Sequence, residues 1–245
     1  MIQSRCYEYL KNDTKKSLDI LICEDAKEAS QLKDVANYFE RDVVVFPDLR
    51  AHYLDDLRSY REELSQLFDA LRHYYALSSK PLVISPLKTL LFPLPKAELL
   101  QGIDIEFGSK IDLKSFKEQI LQWGYTFVDI VQVEGEVSFR GDIFDIFIPS
   151  RENPFRISLF DDEIEEIKAF ITESQRTVGE ECEVLHLVPA FYSLDNDAFE
   201  RISKEVEASE SDSFVKDIAS LGFWYLDDLA EDFLQEKKSV FIKPM

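Results

Sequence analysis

The chain has few of the residues on which small-molecule and metal sites often depend. Its 245 residues include seven glycines, three cysteines and three histidines. The cysteines are too few and too widely spaced for a disulfide framework, which favours a reducing compartment. No apolar run approaches the roughly 18 residues of a membrane span, and the start lacks the basic-then-apolar order of a secretory signal. We therefore predict a cytoplasmic protein with no membrane partner.

Glycine is missing from the first hundred residues, since all seven glycines lie at or after Gly102. A phosphate-binding loop needs glycines because its backbone amides wrap the phosphate in conformations that other residues resist. The turn after the first predicted strand reads Cys-Glu-Asp-Ala-Lys at residues 23–27 and contains no Gly-Lys-Ser/Thr. We predict that this segment binds no ATP in the usual way, holds no cofactor and is not itself an enzyme.

Positive charge is also scarce. The chain has 28 basic and 48 acidic residues, a net charge of −20. Residues 1–105 carry a net charge of −3, residues 106–190 carry −10, and residues 191–245 carry −7. Because nucleic-acid affinity comes largely from lysine and arginine, this segment is not expected to bind DNA by itself. The uneven charge fits separate structural units, although a generally solvated acidic surface explains it equally well.

The first hundred residues predict a parallel α/β layer. Short apolar runs at residues 18–23, 42–46 and 81–85 are typical of buried strands. Between them, apolar residues spaced by threes and fours predict helices at residues 32–39 and 60–75. The order strand, helix, strand, helix, strand is that of an α/β fold.

The pattern becomes β-rich after a helix that Asp112 can cap and that ends at Gly124. Short strand-like segments follow, broken by glycines and a proline, and they predict one or two hairpins. These segments are residues 126–133, 137–140, 143–148 and 155–160. Residues 163–170 fit a helix as well as a twisted strand. Beyond Pro189 we predict helices at 199–206 and 214–234, an exposed loop at 208–213 and a strand at 239–242.

The acidic residues of the middle segment suggest one enzymatic alternative. Asp142, Asp145, Asp161 and Asp162 could together hold two metal ions for phosphodiester hydrolysis, which would make the segment a magnesium-dependent nuclease or phosphoesterase. No histidine or lysine is placed to support that chemistry. An acidic turn after a β-strand is the favoured interpretation of Asp161 and Asp162.

Arg140, Arg156 and Phe160 form the other candidate site. In an extended strand, residues 156, 158 and 160 point to one face. Arginine and large aromatic residues supply much of the binding energy at protein interfaces. The alternative is that Phe160 belongs to the core and the arginines pair with nearby acids.

Three motifs in this segment resemble a known family. Residues 140–147 read Arg-Gly-x-x-x-Asp-x-Phe, residues 156–164 read Arg-x-x-x-Phe-Asp-Asp-Glu-Ile, and residues 174–177 read Ser-Gln-Arg-Thr. This order closely resembles the UvrA-binding domain shared by UvrB and the transcription-repair coupling factors. Further matches extend the resemblance over about residues 40–190, at residues 45–48, 86–90 and 187–190. UvrB carries a phosphate loop near its amino terminus, so the glycine-free start favours the coupling factors.

The resemblance implies a fold and a domain organisation. Residues 1–105 are expected to begin a degenerate, helicase-like α/β domain with a parallel sheet. Residues 106–190 would form a smaller, β-rich α+β UvrA-binding domain inserted in it, and residues 191–245 would return to the first domain.

The resemblance also implies a role in nucleotide excision repair. Coupling factors recognise RNA polymerase stalled at DNA damage, displace it with an ATP- and magnesium-dependent DNA translocase, and recruit UvrA. This segment would be the UvrA-docking part, with Arg140, Arg156 and Phe160 as the contact residues. Polymerase, DNA and ATP would bind elsewhere in the parent protein, whose carboxy-terminal domain would mask the docking surface. We expect Arg156→Ala or Phe160→Ala to abolish UvrA binding with little change in melting temperature.

Overall fold

The computed structural model describes residues 2–52, 55–208, 223–235 and 237–242. The chain divides into two compact units, one formed by Met1–Ala97 with Gly222–Met245 and the other by Glu98–Leu221. The first unit is therefore built from two stretches of sequence, and the second from one. Both combine helices with sheets, which makes the chain an α/β protein. No helix in the described ranges is long and apolar enough to cross a membrane.

The first unit is built on a parallel four-stranded sheet with the order β14-β1-β3-β2. Its helices are α1 (Ile2–Asn12), α2 (Ala26–Tyr38), α3 (Arg61–Ala76) and α4 (Leu87–Leu90). The sheet strands are β1 (Ile20–Cys23), β2 (Val43–Val45), β3 (Leu82–Pro86) and β14 (Ser239–Phe241). A separate antiparallel pair joins β4 (Leu94–Pro95) to β13 (Ala230–Glu231). The predicted alternation of strands and helices is confirmed.

The core of this unit follows from the apolar periodicity of its elements. All four residues of β1 and all five of β3 are buried, as expected for the centre of a parallel sheet. Helix α1 was not predicted, although its buried residues Ile2, Cys6 and Leu10 have helical spacing. Burial raises the pKa of the Cys6 and Cys23 thiols to about 12.

The second unit is built on a six-stranded sheet with the order β11-β10-β9-β8-β7-β6. All neighbours pair antiparallel except β6 and β7, which pair parallel. The strands are β6 (Thr126–Phe127), β7 (Glu136–Arg140), β8 (Ile143–Ile146), β9 (Phe155–Phe160), β10 (Glu163–Ile171) and β11 (Arg176–Val178). The ambiguous segment at residues 163–170 is thus a strand.

The described part of this unit also contains two α-helices and a second antiparallel pair. They are α5 (Leu113–Gln122), α6 (Asn196–Ala208), β5 (Ile103–Glu106) and β12 (Val184–Leu187). Asp112 caps α5 by accepting hydrogen bonds from the amides of residues 114 and 115, and Gly124 follows the helix with φ of 81°. Both features were predicted and are confirmed. Phe116 and Ile120 of α5 pack into the core between the helix and one face of the sheet.

The unit boundaries differ from those predicted. The predicted boundary at residue 105 would cut β5, which pairs with β12 in the second unit. The predicted boundary at residue 190 would separate α6 from this unit, yet the Gln122 side chain donates to the Asn196 side chain and the Ser193 amide donates to the Leu99 carbonyl. The units instead divide after residues 97 and 221.

The predicted helix at residues 214–234 is wrong from residue 223 onward, and its first part is not tested. Residues 214–222 and most of the predicted loop at 208–213 lie outside the described residues. Over the described part, Phe223–Tyr225 and Asp227–Leu229 form short 3-10 helices and β13 follows. Leu226 and Phe233 are buried, and the Phe233 ring contacts the Phe46 ring edge-on at 5.1 Å between centroids. Tertiary packing rather than helical periodicity therefore explains the apolar pattern.

Candidate docking face on the six-stranded sheet

The turn after β1 is closed by the chain's own carboxylates. Asp25 precedes α2 and accepts a hydrogen bond of 2.8 Å from the amide of Glu28. The Glu28 carboxylate in turn accepts a 2.9 Å bond from the amide of Glu24. This arrangement is similar to a capping box, except that the bond to Glu28 comes from the residue before the N-cap, and it satisfies amides that a phosphate-binding loop would direct at its ligand. The negative charge at this helix start also opposes a bound phosphate.

The second unit presents a more distinctive surface on the outer face of its six-stranded sheet. Side chains alternate along β9, so that Ile157 and Leu159 enter the core whereas the side chains between them point outward. Cross-strand pairing places Asp145 opposite Arg156, and Ile143 opposite both Arg140 and Ser158. We call these outward residues the docking face: Arg140, Ile143, Asp145, Arg156, Ser158 and Phe160.

Asp145 is the buried centre of the docking face, with none of its surface exposed. Its Oδ1 accepts a hydrogen bond of 2.7 Å from Nε of Arg156, and its Oδ2 accepts one of 2.8 Å from Nη2. Nη2 of Arg140 also donates to Oδ2. One buried carboxylate is therefore paired with two guanidinium groups, an arrangement that offsets the cost of removing its charge from water.

Arg156 is held on further sides. Its Nη1 donates to the carbonyl oxygen of Gln175 at 3.1 Å, and its guanidinium carbon lies 4.8 Å from the centre of the Phe170 ring. Only 20% of the side chain is exposed. The hydrogen bond to Asp145 raises the pKa of Arg156 above its ordinary value, although burial acts in the opposite direction. Arg156 is thus a fixed part of the face.

Arg140 and Phe160 are more accessible. Arg140 contacts Asp145 with one end of its guanidinium group, and 48% of the side chain is exposed. Phe160 is the last residue of β9 and is 69% exposed, whereas most large apolar residues of this unit lie in its core. Ile143, which is 38% exposed, lies between Arg140 and Ser158 on the same face. The face therefore combines an accessible cation with apolar surface.

The four acids proposed for metal binding do not share a site. Asp145 is occupied by the two arginines, and Asp162 pairs with Lys110 at 2.9 Å. The hydrogen bond from Lys110 lowers the pKa of Asp162. Across the described ranges, no group of three or more histidine, cysteine, aspartate or glutamate residues is arranged to hold a metal ion. The proposed four-carboxylate metal site is therefore not assembled among the described residues.

The sequence predicts the two arginines and the phenylalanine of this face, but it does not predict the other residues. Arg140, Arg156 and Phe160 do lie on one face of one sheet, and both arginines pair with an acid as the alternative interpretation held. Their contact with UvrA stays a prediction. The sequence suggests Asp145 as a candidate metal ligand and gives no indication of Ile143. The signal for Asp145 was present, because one acid in the apolar run 143–148 implies a buried partner.

Comparison with known proteins identifies relatives of this chain. Residues 103–191, from the start of β5 to just before α6, match the family described as "UvrB interaction domain". A transcription-repair-coupling factor of Helicobacter pylori (strain J99) is 41% identical over 247 residues, covering 98% of this chain and 24% of the relative. That of Haemophilus influenzae is 29% identical over 182 residues, covering 73% and 16%. That of Bacillus subtilis is 30% identical over 137 residues, covering 55% and 10%.

Proposed function

We propose that this chain recruits UvrA to RNA polymerase stalled at DNA damage. Its residues 103–191 match the UvrB interaction domain family, and over nearly its whole length it is similar to transcription-repair-coupling factors. The chain spans 24% of the length of the Helicobacter pylori relatives. The chain itself would dock UvrA in nucleotide excision repair.

The exposed ring of Phe160, on the same sheet face as the paired arginines, is the observation that supports this proposal. An aromatic side chain that is 69% exposed gains little from folding, but it can bury a large apolar area against a partner. Arginine and aromatic residues are enriched among the residues that dominate interface energetics. In a segment of net charge −10, Arg140 and Arg156 bring two cations to one sheet face, next to Glu163, Glu166 and Lys168 of the neighbouring strand β10.

Each of the three contact residues would have its own part in binding UvrA. Phe160 would insert its ring into an apolar recess of UvrA. Arg140 would use its exposed edge for charge-assisted hydrogen bonds to a UvrA carboxylate. Arg156, already held by Asp145, would present the rest of its guanidinium group in a fixed orientation. The acidic surface around the face would discourage binding of DNA at the same place.

The remaining activities would reside in other parts of the full-length protein. Polymerase and DNA binding, and an ATP- and magnesium-driven translocase that displaces polymerase, are proposed for the parent protein outside these 245 residues. Its carboxy-terminal domain would cover the docking face until polymerase is engaged. All these partners meet in the bacterial cytoplasm, where we place the protein.

The proposal is tested by comparing Phe160→Ala with Tyr38→Ala in a pull-down on immobilised UvrA. Tyr38 lies in the first unit and is 73% exposed, so the two changes remove equally accessible rings. Losing a central aromatic anchor costs about 2 kcal/mol or more, roughly thirtyfold in affinity. We expect Phe160→Ala to lose UvrA and Tyr38→Ala to retain it. Equal retention by both variants would contradict the proposed contact surface.

A further inference from the structure

We propose that Asp145 is a positioning residue that sets Arg140 and Arg156 in the arrangement that UvrA recognises. This inference rests on the proposed function and adds a residue that does not itself touch the partner. Asp145 is completely buried within the docking face by the side chains around it, so it can act on UvrA only through the side chains that it holds.

The hydrogen bonds show how Asp145 could have this effect. Both of its oxygens accept from Arg156, which fixes the plane of that guanidinium group, and one oxygen also accepts from Arg140. Long arginine side chains lose rotational freedom when they bind a partner, and that loss weakens binding. Asp145 orders both side chains before UvrA arrives, so that part of this loss has already occurred in the free protein.

The charge of the group also defines the partner. Two guanidinium groups and one carboxylate leave a net charge of +1 in this group, and the opposing residues of β10 add Glu163, Glu166 and Lys168 to the same face. Because Arg156 is also held by the Gln175 carbonyl and the Phe170 ring, the exposed edge of Arg140 is the more available donor. The UvrA surface should therefore offer a carboxylate to Arg140 and an apolar recess to Phe160.

Strand stability alone does not account for a charged residue at this position. A buried ion pair contributes little net stability, and an apolar residue of similar volume often serves a fold as well or better. The residues flanking Asp145 in β8, Phe144 and Ile146, are buried and apolar. Burying a carboxylate in this apolar strand therefore costs free energy without a clear gain in stability. Its contact with both arginines explains its presence through their orientation.

Asp145→Asn tests this role because asparagine has the same shape but lacks the charge and the second acceptor oxygen. The measurement is the dissociation constant for UvrA, taken at a temperature where circular dichroism shows every variant to be folded. We expect binding about tenfold weaker or more than that of the wild type. A purely structural role predicts unchanged affinity among folded molecules. Simple attraction by positive charge predicts tighter binding, because a negative charge has been removed. Either of these two results would overturn the proposal.

A second variant covers the case in which Asp145→Asn does not fold. Phe170→Leu keeps every charge and an apolar side chain but removes the ring that supports Arg156, and we expect roughly threefold weaker binding. If Phe170→Leu binds UvrA with unchanged affinity, a fixed position of Arg156 is not needed for binding. That result would overturn the positioning role. Failure of the wild-type chain to bind UvrA would overturn the proposed function and this inference with it, whereas wild-type binding that neither variant alters would overturn the inference alone.

Discussion

Asp145 and Arg156 face each other across neighbouring strands. Because they are paired, removing either side chain should affect the stability of the fold as well as UvrA binding. The alternation along β9 predicts that residues 156, 158 and 160 share a face, and they do. The pairing with Asp145 depends on which strand lies beside β9 and in what register, and one sequence does not specify register. The sequence therefore predicts the face but not the buried carboxylate beneath it.

Arg156→Ala should destabilise the protein as well as weaken UvrA binding, which corrects the expectation that its melting temperature barely moves. The change leaves the buried Asp145 carboxylate with Arg140 as its remaining ionic partner. Breaking a buried pair costs about 3–5 kcal/mol, and we expect about 2 kcal/mol here because Arg140 remains. Chemical denaturation measures this difference in the free energy of unfolding.

The controls for this prediction come from the same unit. Arg151→Ala removes an exposed arginine and should change the free energy of unfolding by less than about 0.5 kcal/mol. Phe160→Ala should be similarly neutral because its ring is exposed. If Arg156→Ala proves as stable as Arg151→Ala, the ion pairs to Asp145 do not stabilise the fold.

At the scale of single elements, β8 contributes a contact that the motif pattern does not reveal. Ile143 is a cross-strand neighbour of both Arg140 and Ser158 on the docking face. We expect Ile143→Ser to weaken UvrA binding about fivefold, since roughly 1 kcal/mol of apolar burial in the complex is lost. A titration of UvrA with each variant measures this change.

Ile171→Ser is the matched control. Ile143 and Ile171 are both 38% exposed, but Ile171 is the last residue of β10 and lies at the other end of that strand from the turn that follows Phe160. Its replacement should leave the affinity for UvrA unchanged. Equal weakening by both serine variants would show that general surface hydrophobicity, rather than the docking face, attracts UvrA.

The junction between α1 and β1 makes the stability of the first unit sensitive to acid. Burial alone would raise the pKa of Asp13, but hydrogen bonds from Leu18 and Ser17 and the charge of Arg41 together lower it to about 2. A carboxyl group with a lowered pKa stabilises the fold above its ordinary value of 3.8, and this contribution is lost as the pH falls towards 2.

Asp13→Asn should therefore destabilise the chain near neutral pH and make its stability less dependent on pH between about 4 and 2. We expect a loss of about 1–2 kcal/mol near neutral pH, measured by denaturation over a series of pH values. Asp34→Asn replaces an exposed aspartate of α2 and serves as the comparison. Identical pH profiles for the two variants would rule out a stabilising role for the Asp13 hydrogen bonds.

Elements with regular apolar spacing are the ones that the sequence predicts well. The strands and helices of the parallel layer, the Asp112 cap and the β-rich middle segment are confirmed because local pattern and tertiary environment agree in them. The predicted helix at residues 214–234 fails in its described part because Leu226 and Phe233 are buried through short turns rather than a continuous helix. Such tertiary packing overrides local propensity.

At the scale of the whole molecule, the charge distribution and the domain boundaries have to be considered together. The uneven charge fits separate units, but it does not predict where they divide. The division after residues 97 and 221 depends on the pairing of β5 with β12 and on the contacts of Asn196 near the start of α6. These are long-range contacts, which composition does not reveal.

Calorimetric titration of the wild-type chain with purified UvrA tests most directly whether this chain presents a docking face to UvrA. We expect saturable binding with a dissociation constant in the micromolar range or tighter, equivalent to about −8 kcal/mol. If the folded chain shows no saturable binding to UvrA at about 100 µM, the claim is wrong.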